Sequence, residues 1–362
     1  MIIKVDSFEK LDKFIFFVRE LYSSDENFAC PIFFSLKKEL RRELFEKKRS
    51  NAILCVRNAE VVGRLLYGEG DSKQKNKHIG YFSYFDTIDD FSVAQELFSF
   101  MENDLKGKVD YVEGTFSPFD PDTRRGVLVE GYDQPHTIFT SYNFPYYGDF
   151  LEKLGYFKAY DTYTVRIDLT EDSYNLASRL ASSCPVRSAV EISPLDLKNI
   201  DKEVDDVHRI FEEATFELNY QAAPSKTLIK STFNNMKAFI EPSLVKIARE
   251  KDTGRPIGFC LVLKDYNEIL RKTKGKIDPF AFIFGKNKIR RVRGVLQYVV
   301  PDYQGKGVIG LLYKNLYDSM KKLRIDYFEG GTIMENNVAS WKIMVKFGGK
   351  ISKIYRIYGK NI

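Results

Sequence analysis

The residue types best placed to do chemistry lie between Tyr298 and Leu312. A β-rich run, Tyr298-Val299-Val300, meets Pro301, which removes a ladder donor and ends the strand. Gly305 and Gly307 flank Lys306 and permit tight turning with no side chain in the way of a ligand. A helix is expected from Val308, with Leu311, Leu312, Leu316 and Met320 on its apolar face. Its first N–H groups have no intrahelical acceptors. A glycine-rich turn feeding a helix N-terminus suits a phosphate or diphosphate. Three readings compete: an anion-binding turn for a diphosphate-bearing cofactor, a dinucleotide fingerprint, and a connection that binds nothing. Gly305-Lys306-Gly307-Val308-Ile309-Gly310 does fit G-x-G-x-x-G, but its setting is wrong for a dinucleotide fold. Pro301 to Gln304 separates strand from glycines, Asp326 precedes the next strand instead of ending it, and 52 residues follow Gly310. No G-x-x-x-x-G-K-[ST] pattern occurs.

The rest of the chain must position that turn. Its 362 residues suggest about two domains. With 44% hydrophobic and 29% charged residues it is an ordinary globular composition, which excludes wholesale disorder. The net charge of +6 is too small for a dedicated nucleic-acid binder but compatible with an anionic cofactor. Cys30, Cys55, Cys184 and Cys260 form no C-x-x-C pair, and His78, His136 and His208 form no close pair, so neither a disulfide framework nor a metal site is expected. No signal-peptide apolar region follows Met1 and no window of 18 apolar residues occurs, so no membrane span is expected and the expected compartment is the cytoplasm.

The order of elements repeats. Helices after Ser7 and Ser35 precede a hairpin (Ala52 to Val56, Val61 to Tyr67), a strand (Ile79 to Phe85), a helix (Phe91 to Leu105), a strand (Val109 to Thr115), a helix ending at Gly155 and a strand (Lys158 to Ile167). The second half expects a strand near Val190, helices at Lys202 to Glu213 and Lys226 to Phe239, and a hairpin (Leu244 to Arg249, Ile257 to Leu263). It continues with strand Arg293 to Val300, helix Val308 to Lys322, strand Tyr327 to Ile333, helix Asn337 to Phe347 and strand Ile351 to Tyr358. Each half carries one insertion, Phe116 to Ser141 and Asp265 to Lys288. The division expected is 1–168, a linker at 169–185 where small and polar residues gather, and 186–362. The fold class is α/β (α+β), each half a mixed, mostly antiparallel sheet flanked by helices.

Val299 to Leu312 resembles the acetyl-CoA-binding motif of the GNAT acyltransferase superfamily, Q/R-x-x-G-x-G/A. Gln304, Gly305, Lys306 and Gly307 match its first four places, Val308 fills the variable fifth, and Ile309 departs at the last small position, with Gly310 directly after. Glu335-Asn336-Asn337 before a helix ending Lys346-Phe347-Gly348-Gly349 is similar to the superfamily's fourth helix. The whole chain resembles a bacterial family of tandem GNAT-like proteins, through Phe116-Ser117-Pro118, Gly126 to Asp133, Tyr142 to Tyr147 and Lys353 to Tyr358. The first half looks like a degenerate copy, because Asp86-Thr87-Ile88-Asp89-Asp90 puts three carboxylates where a diphosphate would sit.

The resemblance implies acyl transfer from acetyl-CoA or another acyl-CoA to a small-molecule or peptide amine. It implies cofactor contacts from Gln304 to Gly310, from Asn337, and from the main chain of Tyr298, Val299 and Val300, one of whose N–H groups would polarise the thioester carbonyl. The superfamily's usual acid, a tyrosine of the fourth helix, falls on Met344, which has no proton to give. Glu335, Tyr355 and Tyr358 are the candidates to move protons. The first half then shapes the substrate cleft or a homodimer contact. The rival reading is a non-catalytic module binding a peptide, a lipid or another small ligand.

Overall fold

The structure, a computed structural model, describes residues 1–72, 75–116, 126–216 and 223–362. Part of the first insertion, with Ser117 and Pro118 of the resembling stretch, lies outside the described residues.

The first half starts with β1 (Ile2–Lys4), α1 (Phe8–Leu21) and α2 (Phe33–Arg41). Ser7 caps α1 by accepting from the Lys10 N–H. The meander β2 (Ser50–Arg57), β3 (Glu60–Ser72), β4 (Lys77–Thr87) leads to α3 (Phe91–Leu105), β5 (Tyr111–Gly114), β6 (Val127–Glu130), α4 (Tyr146–Lys153) and β7 (Phe157–Asp168). Alternation along the strands sorts two cores. Ile53, Cys55 and Leu65 face α3 and α4, while Ala52, Leu54 and Leu66 face α1 and α2.

Residues 169–185, read from composition as a linker, contain helix α5 (Glu171–Ser182). Thr170 and Ser173 close a reciprocal capping box at its start, a device worth about 1 kcal/mol. The second half continues with β8 (Val190–Pro194), α6 (Ile200–Thr215), α7 (Lys226–Met236), β9 (Val245–Glu250) and β10 (Pro256–Lys264). The second insertion forms two short helices, α8 (Asn267–Thr273) and α9 (Pro279–Gly285). Then come β11 (Arg291–Val299), α10 (Val308–Lys322), β12 (Tyr327–Met334), α11 (Val338–Lys346) and β13 (Lys350–Asn361).

All strands join one sheet, in the order β1-β2-β3-β4-β5-β13-β7-β12-β11-β10-β9-β8, with β6 added beside β13. Among the described strands only the pairs β4–β5 and β11–β12 run parallel. The halves have exchanged their last strands. β7, which ends the first half, pairs with β12 from Tyr327↔Asp168 to Met334↔Thr162. β13, which ends the second, pairs with β5 from Tyr358↔Gly114 to Asn361↔Tyr111. The two exchanged strands also pair with each other along most of their length.

Candidate functional site

In the second half β11 and β12 pair only from Arg291↔Tyr327 to Gly294↔Gly330. β11 then follows β10, and β12 follows β7. The strands part into a fork with unpaired edges. Side chains close in on the glycines at its apex. A Cβ on Gly330 would stand 2.4 Å from the Met344 sulfur, and one on Gly294 would stand 2.7 Å from the Phe328 ring. Arg293 ties the apex together by donating to the Gly331 carbonyl.

The main chain along the fork alternates in direction. The Val300 N–H donates to the Ile257 carbonyl at 3.0 Å, so it is committed to β10. Ladder alternation sends the Tyr298 N–H the same way and turns those of Gln297 and Val299 into the fork. Of the three strand N–H groups expected to reach a ligand, geometry therefore retains Val299 and adds Gln297. The sequence reading missed Gln297 because it had no register to count from. The Val299 carbonyl accepts from Gln304 Nε2 at 3.0 Å, so the Gln304 side chain braces the turn.

The turn itself is exposed. Gly305 and Gly307 have φ of +72° and +84°, in the region that favours glycine. Gly307 is the N-cap of α10 and offers no side chain to the helix. The N–H groups of Gly305, Gly307, Val308 and Ile309 have no acceptor among the described residues. Gly310 donates to the Gly307 carbonyl and Lys306 to that of Tyr303, so these two are used internally. Cys184 supports the turn from below, its thiol 3.2 Å from the Lys306 carbonyl. Lys306 Nζ lies over the Tyr303 ring.

The other expected residues do not gather at this turn. Asn337 caps α11 by accepting from the Ser340 N–H. Glu335 is partly exposed, but its carboxylate accepts from Lys158 Nζ at 2.7 Å and from the Asp161 N–H at 3.0 Å. Tyr355 is fully buried in β13, and burial with the nearby Glu329 carboxylate pushes its hydroxyl well above the ordinary range. Tyr358 belongs to the first half's core; burial and Glu152, which its hydroxyl meets at 3.2 Å, push it up to about 12. Met344 is buried against Gly330.

A buried ionic cluster joins the halves. Glu329 accepts from Thr137 Oγ1 at 2.7 Å and lies 3.5 Å from Arg293 and 3.4 Å from Lys353. Arg291 meets Asp265 at 2.7 Å, and the Ile138 N–H donates to the same carboxylate. The alternation Arg291-Val292-Arg293 in a strand, opposite Glu329, was a usable signal. Both arginines of that alternation are buried.

The first half has its own fork, since β4 and β5 pair only from Gly80↔Val112 to Phe82↔Gly114. A cavity of about 470 Å³ occupies it. Leu36 of α2, Met236 of α7 and Leu270 of α8 contribute to its apolar wall. At one end Arg64 grips Asp86 through two bonds of 2.6 and 2.7 Å, and Tyr22 donates to the other carboxylate oxygen. Ser83 Oγ, in the same wall, has no partner among the described residues. His136 and the run Ile138 to Ser141 of the first insertion also line the cavity. His136 Nε2 accepts from the Ala29 N–H at 2.9 Å, so Nδ1 carries the proton; burial first, then Lys353, push its pKa down to about 3. This fork lacks the anion turn. Asp90 caps α3, accepting from the Ser92 N–H at 2.9 Å, and is held by Arg57 at 2.6 Å.

Paired forks on one continuous sheet define the class of fold: that of tandem GNAT proteins. A tandem GNAT protein from the clavulanic acid biosynthesis pathway superposes with a TM-score of 0.59 at 12% identity, covering 100% of this chain and 98% of its own. A GCN5-related N-acetyltransferase from Sphaerobacter thermophilus gives 0.51 at 12% identity, covering 90% and 85%. Among curated proteins, Protein YghO of Escherichia coli (strain K12) is 25% identical over 367 residues, 97% of this chain and 93% of that protein. Bacterial ceramide synthase of Caulobacter vibrioides (strain NA1000 / CB15N) is 25% identical over 378 residues, 100% and 97%. No family model matches the chain. Among the described residues no helix is long and apolar enough to cross a membrane.

Proposed function

We propose that the chain is a CoA-dependent N-acyltransferase, moving an acetyl or longer acyl group from a CoA thioester to an amine. One observation carries the reading: the N–H groups of Gly305, Gly307, Val308 and Ile309 stand without acceptors at the mouth of a strand fork. Such donors at a helix N-terminus fit a diphosphate. When bound, acyl-CoA supplies an activated acyl group. The residues of the chain hold and orient it. Gly305, Gly307, Val308 and Ile309 grip the diphosphate through the main chain, and Lys306 adds a positive charge beside it. Gln297 and Val299 present N–H groups along the fork, fixed in the sheet before any substrate arrives, as donors to a polarised carbonyl must be. Of the side chains expected to move protons, Glu335 alone reaches solvent, so the reading assigns it the amine proton, with Lys158 displaced.

The acceptor proposed is an amphiphilic amine. A ceramide is an N-acylated long-chain amino alcohol, and one similar protein is named as a synthase of it. The apolar cavity with its Arg64–Asp86 end suits a chain with a polar head. Thr137, next in the chain to His136 of its wall, bonds to Glu329 and Arg293, and Arg293 reaches the apex of the second fork.

Isothermal titration with CoA tests the donor site, and absence of heat at millimolar ligand removes it. Release of free thiol from acyl-CoA in the presence of long-chain amines tests the reaction. The second reading, a binding module without chemistry, is favoured by Met344 in the usual acid's place and by the sealing of Tyr355 and Tyr358. CoA binding with no thiol release from any amine would select it.

A further inference from the structure

Helix α9 presents its apolar side chains to water. Ile277 just before it, then Phe280, Ile283 and Phe284, are 58%, 73%, 59% and 67% exposed. Single exposed apolar residues need no explanation, but four on one short segment form a patch that calls for a partner. The flanks say which kind. From Arg271 to Arg291 eight side chains are basic and one, Asp278, is acidic. Asp278 is already engaged, accepting from the Phe280 and Ala281 N–H groups as the cap of α9. Lys272, Lys274, Lys276, Lys286 and Lys288 are exposed and have no carboxylate partner among the described residues. A protruding apolar knob ringed by unpaired lysines is complementary to an anionic lipid surface, where the rings enter the interfacial layer and the ammonium groups meet headgroup phosphates.

The knob is also next to the cavity. The inward ring of α9, Phe282, stacks on Tyr266 with centroids 5.9 Å apart and meets Phe239 at 5.9 Å. Tyr266 and Phe239 are both in the cavity wall. The loop before α9 presses Gly275 against Pro31 and Phe33 of the first half, so close that a Cβ would stand 2.5 Å from the Pro31 carbonyl. Pro31 lines the cavity too, and the next residue after Phe33, Phe34, is 74% exposed.

We infer that the segment from Arg271 to Arg291 is a peripheral membrane-docking surface, in which Ile277, Phe280, Ile283 and Phe284 insert shallowly into an anionic bilayer beside the cavity mouth. The docking needs no spanning helix and holds whether or not the fork binds CoA.

Flotation of the full chain with vesicles tests it. The protein should float with phosphatidylcholine–phosphatidylglycerol vesicles at low salt and remain behind with phosphatidylcholine alone. Lys286→Glu with Lys288→Glu should cut the bound fraction strongly, since each lysine near an anionic surface contributes about fivefold. Phe280→Ser, Ile283→Ser and Phe284→Ser together should lower partition at least about tenfold. Both lysines are exposed, so the pair carries the test even if the triple variant unfolds. Failure of the native chain to float with anionic vesicles overturns the inference, as does equal flotation of the lysine variant or of a folded triple variant. A concentration-dependent dimer in sedimentation velocity, abolished by the triple substitution and accompanied by no flotation, would assign the patch to a second copy of the chain instead.

Discussion

Gly307 combines two demands that no other residue meets. Its φ of +84° is costly for an L side chain, by about 1 kcal/mol, and a Cβ would stand 3.2 Å from Cys184. A Gly307→Glu substitution would also place a carboxylate among the N–H groups proposed to hold a diphosphate. Its expected outcome is loss of the CoA titration heat. Gly254→Glu is the control: it has φ of +70° and open space around it, so it carries the backbone strain without the loss of binding. His136 gives a second residue-scale prediction. Its pKa is about 3 when folded and about 6.5 when unfolded, so the unfolded chain takes up the proton first. The stability this neutral ring contributes is complete above about pH 6.5 and is lost as pH falls toward 3. His136→Gln, which keeps an acceptor near the Ala29 N–H, should flatten the fall in stability between about pH 6 and pH 4 by up to about 1.4 kcal/mol per pH unit. Denaturant midpoints across that range read it, and parallel curves for the two proteins would refute it.

At the scale of elements, α3 and α10 occupy matching places in the two halves but have opposite N-termini. Asp90 fills the first with its own carboxylate, whereas Gly307 leaves the second to whatever arrives. Asp90→Ala should therefore lower stability by about 1 kcal/mol while leaving CoA titration unchanged. A change in CoA affinity would mean that the first fork takes part in binding. Both helices were readable from the residues alone: 91–105 and 308–322 were expected and found with those bounds. Their apolar spacing and flanking turns are local properties, as are those of both hairpins. The helices α5, α8 and α9 were not read as such. The first lies in a stretch whose small, polar composition resembles a connection, and the others are too short to show a period. The turn was legible as a turn. That Val300 is committed to β10 while Val299 is not depends on a register set by a distant strand. Likewise Glu329 is fixed by Lys353 and Thr137, partners 24 and 192 residues away.

On the scale of the whole molecule, strand exchange ties the halves. Neither half of the sheet is complete without a strand from the other, and Glu329, Lys353 and Arg293 are buried where they meet. Loss of the first half would take Thr137 from Glu329 and strand β7 from between β12 and β13, uncovering this buried cluster. Chemical denaturation should accordingly show one transition, coincident for far-ultraviolet dichroism and for the fluorescence of Trp341, the sole tryptophan and a residue of the second half. Two separated transitions would contradict this coupling. The exchange also bears on how the chain is made. The edge of β5 is closed by residues 358–361, so a nascent first half leaves the ribosome with that edge bare and waits until that distant strand has been made before it is covered. Over that interval the bare edge is a template on which other chains can pair.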